Sequence, residues 1–154
     1  MSGCPGSRTM TFSKDEDAGA VVGTAPSRLR QWPIQLHLVS PQAPYFQGAD
    51  VVLAADCVAF AMGSFHEDYL KGKSLAIACP KLDSEQEAYL EKIRGLYEEA
   101  KINTLTVMIM QVPCCRGLLG LAVEALKASS RKVPVRYVVV GLRGEVLQEE
   151  WVEA

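Results

Sequence analysis

DVVLAADCVAFAMGSFHEDYLKGKSLAIAC, residues 50–79, is the stretch that decides how this chain folds. Val51 to Ala55 is apolar at every position, so both faces of that segment must be covered, which suits a parallel strand inside a sheet rather than a half-exposed antiparallel one. Val58, Met62, Phe65 and Tyr69 then recur at helical spacing and predict a helix over 58–70, with Gly63 as its weak point. Gly72 closes the unit. Leu75 to Ala78 is a second short buried run, stopped by Cys79 and Pro80. Strand, helix and strand in so few residues call for a right-handed crossover between parallel neighbours.

The pattern continues outward in both directions. Downstream, Asp83 or Ser84 followed by Glu85 and Glu87 opens a helix whose first turn suits the helix dipole, and Tyr89, Leu90, Ile93, Leu96 and Tyr97 form its apolar stripe until about Ala100. Thr104 to Met110 is a β-branched strand, and GLLGLAVEALKAS, residues 117–129, places Leu118, Leu119, Ala122 and Leu126 on one side of another helix. Val135 to Val140 reads as the last strand, followed by a turn at Arg143 and Gly144 and a C-terminal tail containing Trp151. Upstream, PIQLHLV, residues 33–39, predicts a first strand with Ile34, Leu36 and Leu38 on one face and Gln35 and His37 on the other. Residues 1–30 have no sustained period and read as a flexible arm carrying Cys4, ahead of a single domain over 31–154. Alternating strands and helices predict a three-layer α/β architecture: a mostly parallel open sheet of about five strands, Rossmann-like, with helices on both faces.

Composition narrows the function classes. A net charge of −2 over 154 residues offers no basic field for a polyanion, so nucleic-acid binding is not expected. Charged residues interrupt the apolar runs before any reaches membrane-spanning length, and the start lacks the basic and then apolar regions of a secretory signal, which predicts a cytoplasmic protein. Five cysteines in that compartment are thiols, ligands or redox groups rather than structural disulfides, and an odd count leaves one unpaired within the chain.

The position of those cysteines is the chemical signal. Cys57 follows the first buried run, Cys79 the second, and Cys114 and Cys115 the Thr104–Met110 strand. In an open parallel sheet, ligands bind outside the carboxyl ends of the strands, so segments distant in sequence deliver thiols to one rim. Thiolates there suit an iron–sulfur cluster or zinc, and the start of a helix lowers the pKa of a cysteine, favouring the coordinating form at Cys114 and Cys115. No C-x-x-C spacing accompanies them. The alternative is that Cys57 and Cys79 are small buried hydrophobes. Asp56 could accept a hydrogen bond from a ligand or from amides of the next helix, and Lys81 could balance thiolate charge. His37 could approach the rim, and His66, beside Glu67 and Asp68, reads as a solvated helix residue. No phosphate-binding glycine motif follows a strand, and no serine, histidine and acid set indicates a hydrolase.

The strings QWPIQLHLVSPQAPYFQGADVVLAADCVAFAMGSFHEDYLKGKSLAIACPKLD and VMIMQVPCCRGL, with CPGSR near the start, resemble the α/β domain of iron–sulfur-binding proteins of anaerobic bacteria and archaea. In those proteins it looks like a C-terminal partner to a ferredoxin-type module with two four-iron (4Fe-4S) clusters, a module this sequence lacks. The sequence also carries Gln111 where the family has an acidic residue and Arg116 where it has Gly. The resemblance implies an association with electron transfer and with a ferredoxin-like or other redox protein as partner. Two readings follow. The first is a metal or 4Fe-4S iron–sulfur cluster module, with zinc as the alternative metal, held by Cys57, Cys79 and Cys114 with Cys4 or Cys115 as the fourth ligand. The second is a noncatalytic interaction domain of a ferredoxin-type iron–sulfur protein with structural cysteines.

Overall fold

The computed structural model describes residues 9–11, 25–112 and 116–153. Five strands form the main sheet: β3 (Asp50–Ala55), β4 (Ser74–Ala78), β5 (Thr104–Met110), β6 (Val135–Val140) and β7 (Val146–Trp151), in spatial order β4-β3-β5-β6-β7. The first four are parallel, with Val52 opposite Leu75 and Thr106, and Met108 opposite Val138; β7 alone runs antiparallel. Two further short strands, β1 (Met10–Thr11) and β2 (Gln31–Trp32), pair with each other outside this sheet.

The burial of β3 and β5 follows from their composition. Every residue of 51–55 and 105–110 is buried, as runs without a polar face require; the one polar side chain among them, Thr106, accepts a hydrogen bond from Arg136. The helices are α1 (Val58–Ala61), α2 (Gln86–Glu98) and α3 (Arg116–Ala128). The chain moves from β3 to β4 in one direction and then back across β3 to β5, so right-handed crossovers place α1 on one face and α2 and α3 on the other. Tyr89, Ile93, Leu96 and Tyr97 of α2 and Leu118, Ala122 and Leu126 of α3 are buried against that second face. The Tyr97 hydroxyl donates to the Ala122 carbonyl at 2.9 Å and ties the two helices together. The three-layer, mostly parallel α/β fold matches the reading of the sequence.

Three local expectations are corrected. The helix expected over 58–70 is two pieces: α1 stops when Met62 turns extended just before Gly63, and His66–Leu70 forms a π-helical turn in which the Lys71 amide donates to the His66 carbonyl. The strand expected at 33–39 makes one parallel bridge, Gln35 to Ile77, and then turns; Leu36 is buried, whereas Leu38 is 51% exposed, so the alternation does not persist. The tail containing Trp151 is instead β7, paired with β6 although all its residues are exposed. The sheet therefore has five strands with a different membership, β7 taking the place of 33–39.

Residues 25–30 run against the domain. The Arg28 amide donates to His66 Nδ1 at 3.0 Å, its guanidinium pairs with Glu67 at 2.8 Å, and Arg30 donates to the buried Ser74 hydroxyl. Among the described residues no helix is long and apolar enough to cross a membrane.

Candidate functional site at the carboxyl rim

β3 and β4 are hydrogen-bonded neighbours, and their ladder runs one residue past the strands, where the Asp56 amide donates to the Ala78 carbonyl at 3.2 Å. Cys57 and Cys79 therefore leave adjacent strands at the same rim. Cys57 is exposed and Cys79 half-buried, so neither is the fully buried apolar filler of the second reading. Cys114, Cys115 and Cys4 lie outside the described residues. Among the described residues no three histidine, cysteine or acidic side chains converge to hold a metal ion.

The backbone around Cys79 is held from several directions. Asp83 does not cap α2 as expected from sequence. Its Oδ2 instead turns back to accept from the Cys79 amide at 2.9 Å, from Gln35 Nε2 at 3.0 Å and from the Tyr89 hydroxyl. The Asp83 amide in turn donates to the Cys79 carbonyl at 2.8 Å, closing a tight loop. Gln86 Nε2 donates to the Pro80 carbonyl, and Gly117 in the first turn of α3 approaches Pro80 so closely that an added Cβ would touch its ring at 3.4 Å. The helix that follows Cys115 directly in sequence thus begins beside the Cys79–Pro80 turn.

The acids of the rim have opposite environments. Burial works against charge on Asp83, but hydrogen bonds from Tyr89, the Cys79 amide and Gln35, with His37 adding attraction, bring its carboxyl below the ordinary value. Asp56 has no such support: burial first, and the Asp83 carboxylate second, push it upward. Its Oδ1 is buried with no hydrogen-bond partner among the described residues, so the expected contact with the next helix's amides is not made.

The histidines are occupied elsewhere. His37 stacks on Tyr89 with ring centroids 4.0 Å apart and its Nε2 meets the Ser84 carbonyl at 2.8 Å, so it reaches the loop after β4 without joining the thiols. His66 is half-buried rather than solvated, its Nδ1 accepting from Arg28. Lys81 is exposed. On the far side of β3, Gln111 fixes the exit of β5: its amide donates to the Val140 carbonyl and its Oε1 accepts from the Leu142 amide at 2.8 Å. Large apolar side chains surround the rim: Phe60, Leu82 and Leu142 are 95%, 83% and 64% exposed. The Asp83 network was missed from sequence. Its only trace there is the Cys79-x-x-x-Asp83 spacing, which reads equally well as a helix start.

A parallel sheet whose strand order reverses beside β3, with thiols and carboxylates gathered where β3 and β4 end, defines a doubly wound α/β domain with a carboxyl-edge site. The chain belongs to the family described as "Rossmann-like domain", whose model matches residues 43–153. Over 118 residues it is 29% identical to a protein of the archaeon Archaeoglobus fulgidus described as "Uncharacterized protein", an alignment covering 77% of this chain and 82% of that relative. No solved structure matches the chain with significance.

Proposed function

We propose that the domain carries a thiolate-bound metal centre at its carboxyl rim, an iron–sulfur cluster of the 4Fe-4S kind in first place and zinc in second, and that it works in electron transfer with a ferredoxin-like partner. The observation that carries the reading is the exit of Cys57 and Cys79 from paired strands at one rim, one thiol exposed and the other half-buried. Adjacent strands stand about 4.8 Å apart, a separation that two thiolates on one soft cation or one cluster can share. Cys57, Cys79 and Cys114 would hold the group, with Cys115 or Cys4 as the fourth ligand. The Asp83 hydrogen bond that anchors the Cys79 amide would preorganise that ligand.

Anaerobic purification followed by iron, zinc and acid-labile sulfide analysis tests the reading. Stoichiometric iron and sulfide, lost in Cys57→Ser and in Cys79→Ser, is the expected result; stoichiometric zinc without sulfide keeps the site and removes the redox role. Absence of metal from the anaerobic protein overturns it and leaves the second reading, an interaction domain. The exposed Phe60, Leu82 and Leu142 around the rim favour that alternative, because apolar side chains grouped at one edge suit docking.

A further inference from the structure

We propose that the cavity bordered by α1, β3 and β4 is a second binding site, one for a neutral aromatic molecule of about ten heavy atoms. Exposure grades across its lining. Ala54, Phe65 and Leu75 are buried, Ile34 and Ile77 are half-buried, and Phe60 of α1 is exposed, so the chamber has a floor, walls and a mouth open to solvent. Its volume is about 240 Å³. Close-packed interiors leave few voids larger than a water molecule, so a hollow of this size is more than a gap in packing. An apolar cavity of roughly 150 Å³ accommodates benzene, which by proportion sets the size of the molecule given above. Neither Cys57 nor Cys79 is among the lining residues, so the site stands apart from the thiol rim and does not rest on a metal being there.

The class of ligand follows from the lining, whose accessible surface is almost wholly hydrocarbon. A charged or strongly polar molecule would give up its hydration there without gaining matching partners. The polar side chains on the lining are already engaged or sealed off. The Ser27 hydroxyl accepts from the Leu29 amide at 3.2 Å, and His66 Nδ1 accepts from the Arg28 amide at 3.0 Å. Asp56 keeps its Oδ1 buried beyond the reach of a water-sized group. An aromatic body suits the chamber because Phe65 and Phe60 border it, and paired rings add attraction beyond the area they bury. The fold also holds the space open. The Ile77 amide donates to the Ile34 carbonyl at 2.8 Å, and Arg28 is fixed to the π-helical turn through His66 and by a 2.8 Å ion pair with Glu67. Collapse of either covering segment onto Ala54 would break those bonds, so a bound molecule restores the missing contacts at lower cost.

The experiment uses the full chain and naphthalene as the probe, titrated to its solubility limit and followed by chemical shifts of the Ala54, Leu75 and Ile77 methyl groups. The expected result is saturable binding that moves those signals. The 1,2,3,4-tetrahydroisoquinolinium cation, with the same number of heavy atoms, binds at least about tenfold more weakly, because its charge is desolvated without a partner. Ile77→Phe fills the chamber from β4 and abolishes binding; Ala54→Leu does the same from β3 if the first variant does not fold. The proposal is overturned if those methyl signals do not move in a saturable way, or if the probe moves only Phe60, Leu82 and Leu142, which would mean adhesion to the exposed apolar surface. It is equally overturned if the cation binds as well as naphthalene, or if a folded cavity-filled variant binds unchanged.

Discussion

Replacing Asp83 by Ala should loosen the whole turn that presents Cys79. One carboxylate oxygen accepts from the Cys79 amide, Gln35 and Tyr89, and each donor was desolvated on folding to reach it. A hydrogen bond to a charged group contributes about 1.5–3 kcal/mol, but bonds sharing one acceptor do not add, and Asp83 is only half-buried. A loss of about 2–3 kcal/mol for Asp83→Ala follows, with about 1 kcal/mol for Asp83→Asn, which keeps an acceptor there. In a chain of this size 2 kcal/mol corresponds to a fall in Tm of about 4–8 °C. The assay is urea denaturation of wild type and both variants across pH.

The pH dependence has a definite sign. The folded-state value of Asp83 lies below its ordinary 3.8, so the charge contributes stability that is fully present above that value and is lost as pH falls through the lower folded value. The gap between wild type and Asp83→Asn should therefore be constant near neutrality and shrink only in that acid window. A variant within about 0.5 kcal/mol of wild type at pH 7, or a gap that persists unchanged below the window, would refute the reasoning.

Two further outcomes are expected. Gly144 has φ +89° and an added Cβ would lie 2.4 Å from the Ala61 carbonyl oxygen, so Gly144→Ala should destabilise by about 2 kcal/mol or more in thermal unfolding and push the β6–β7 turn away from α1. Tyr97→Phe removes the buried bond from α2 to the Ala122 carbonyl and should lower the stability measured in denaturant by about 1 kcal/mol, leaving the slope unchanged.

The parallel centre of the sheet was legible because apolarity on both faces of Val51–Ala55 and of Thr104–Met110 admits few other placements, and the spacing of Tyr89, Ile93 and Leu96 admits little but a helix. Where propensity and tertiary contact competed, the sequence alone was insufficient. Residues 33–39 alternate like a strand, yet bend after one bridge. The exposed, polar β7 has no period that announces burial, because backbone pairing with β6 rather than a covered face holds it. The same division holds at the site. Sequence sets Cys57 and Cys79 at the ends of two buried runs, since apolar strands must stop where polar loops begin, and the pairing of those runs follows from the crossover rule. Tertiary structure alone decided that Asp83 reaches back to the Cys79 amide, that His37 is spent on Tyr89 and Ser84, and that Asp56 keeps a buried oxygen without a hydrogen-bond partner among the described residues. His37 meets partners far along the chain, and Asp83, although four residues from the Cys79 amide, is held as well by Gln35 from a distant segment, so local spacing alone does not encode these contacts.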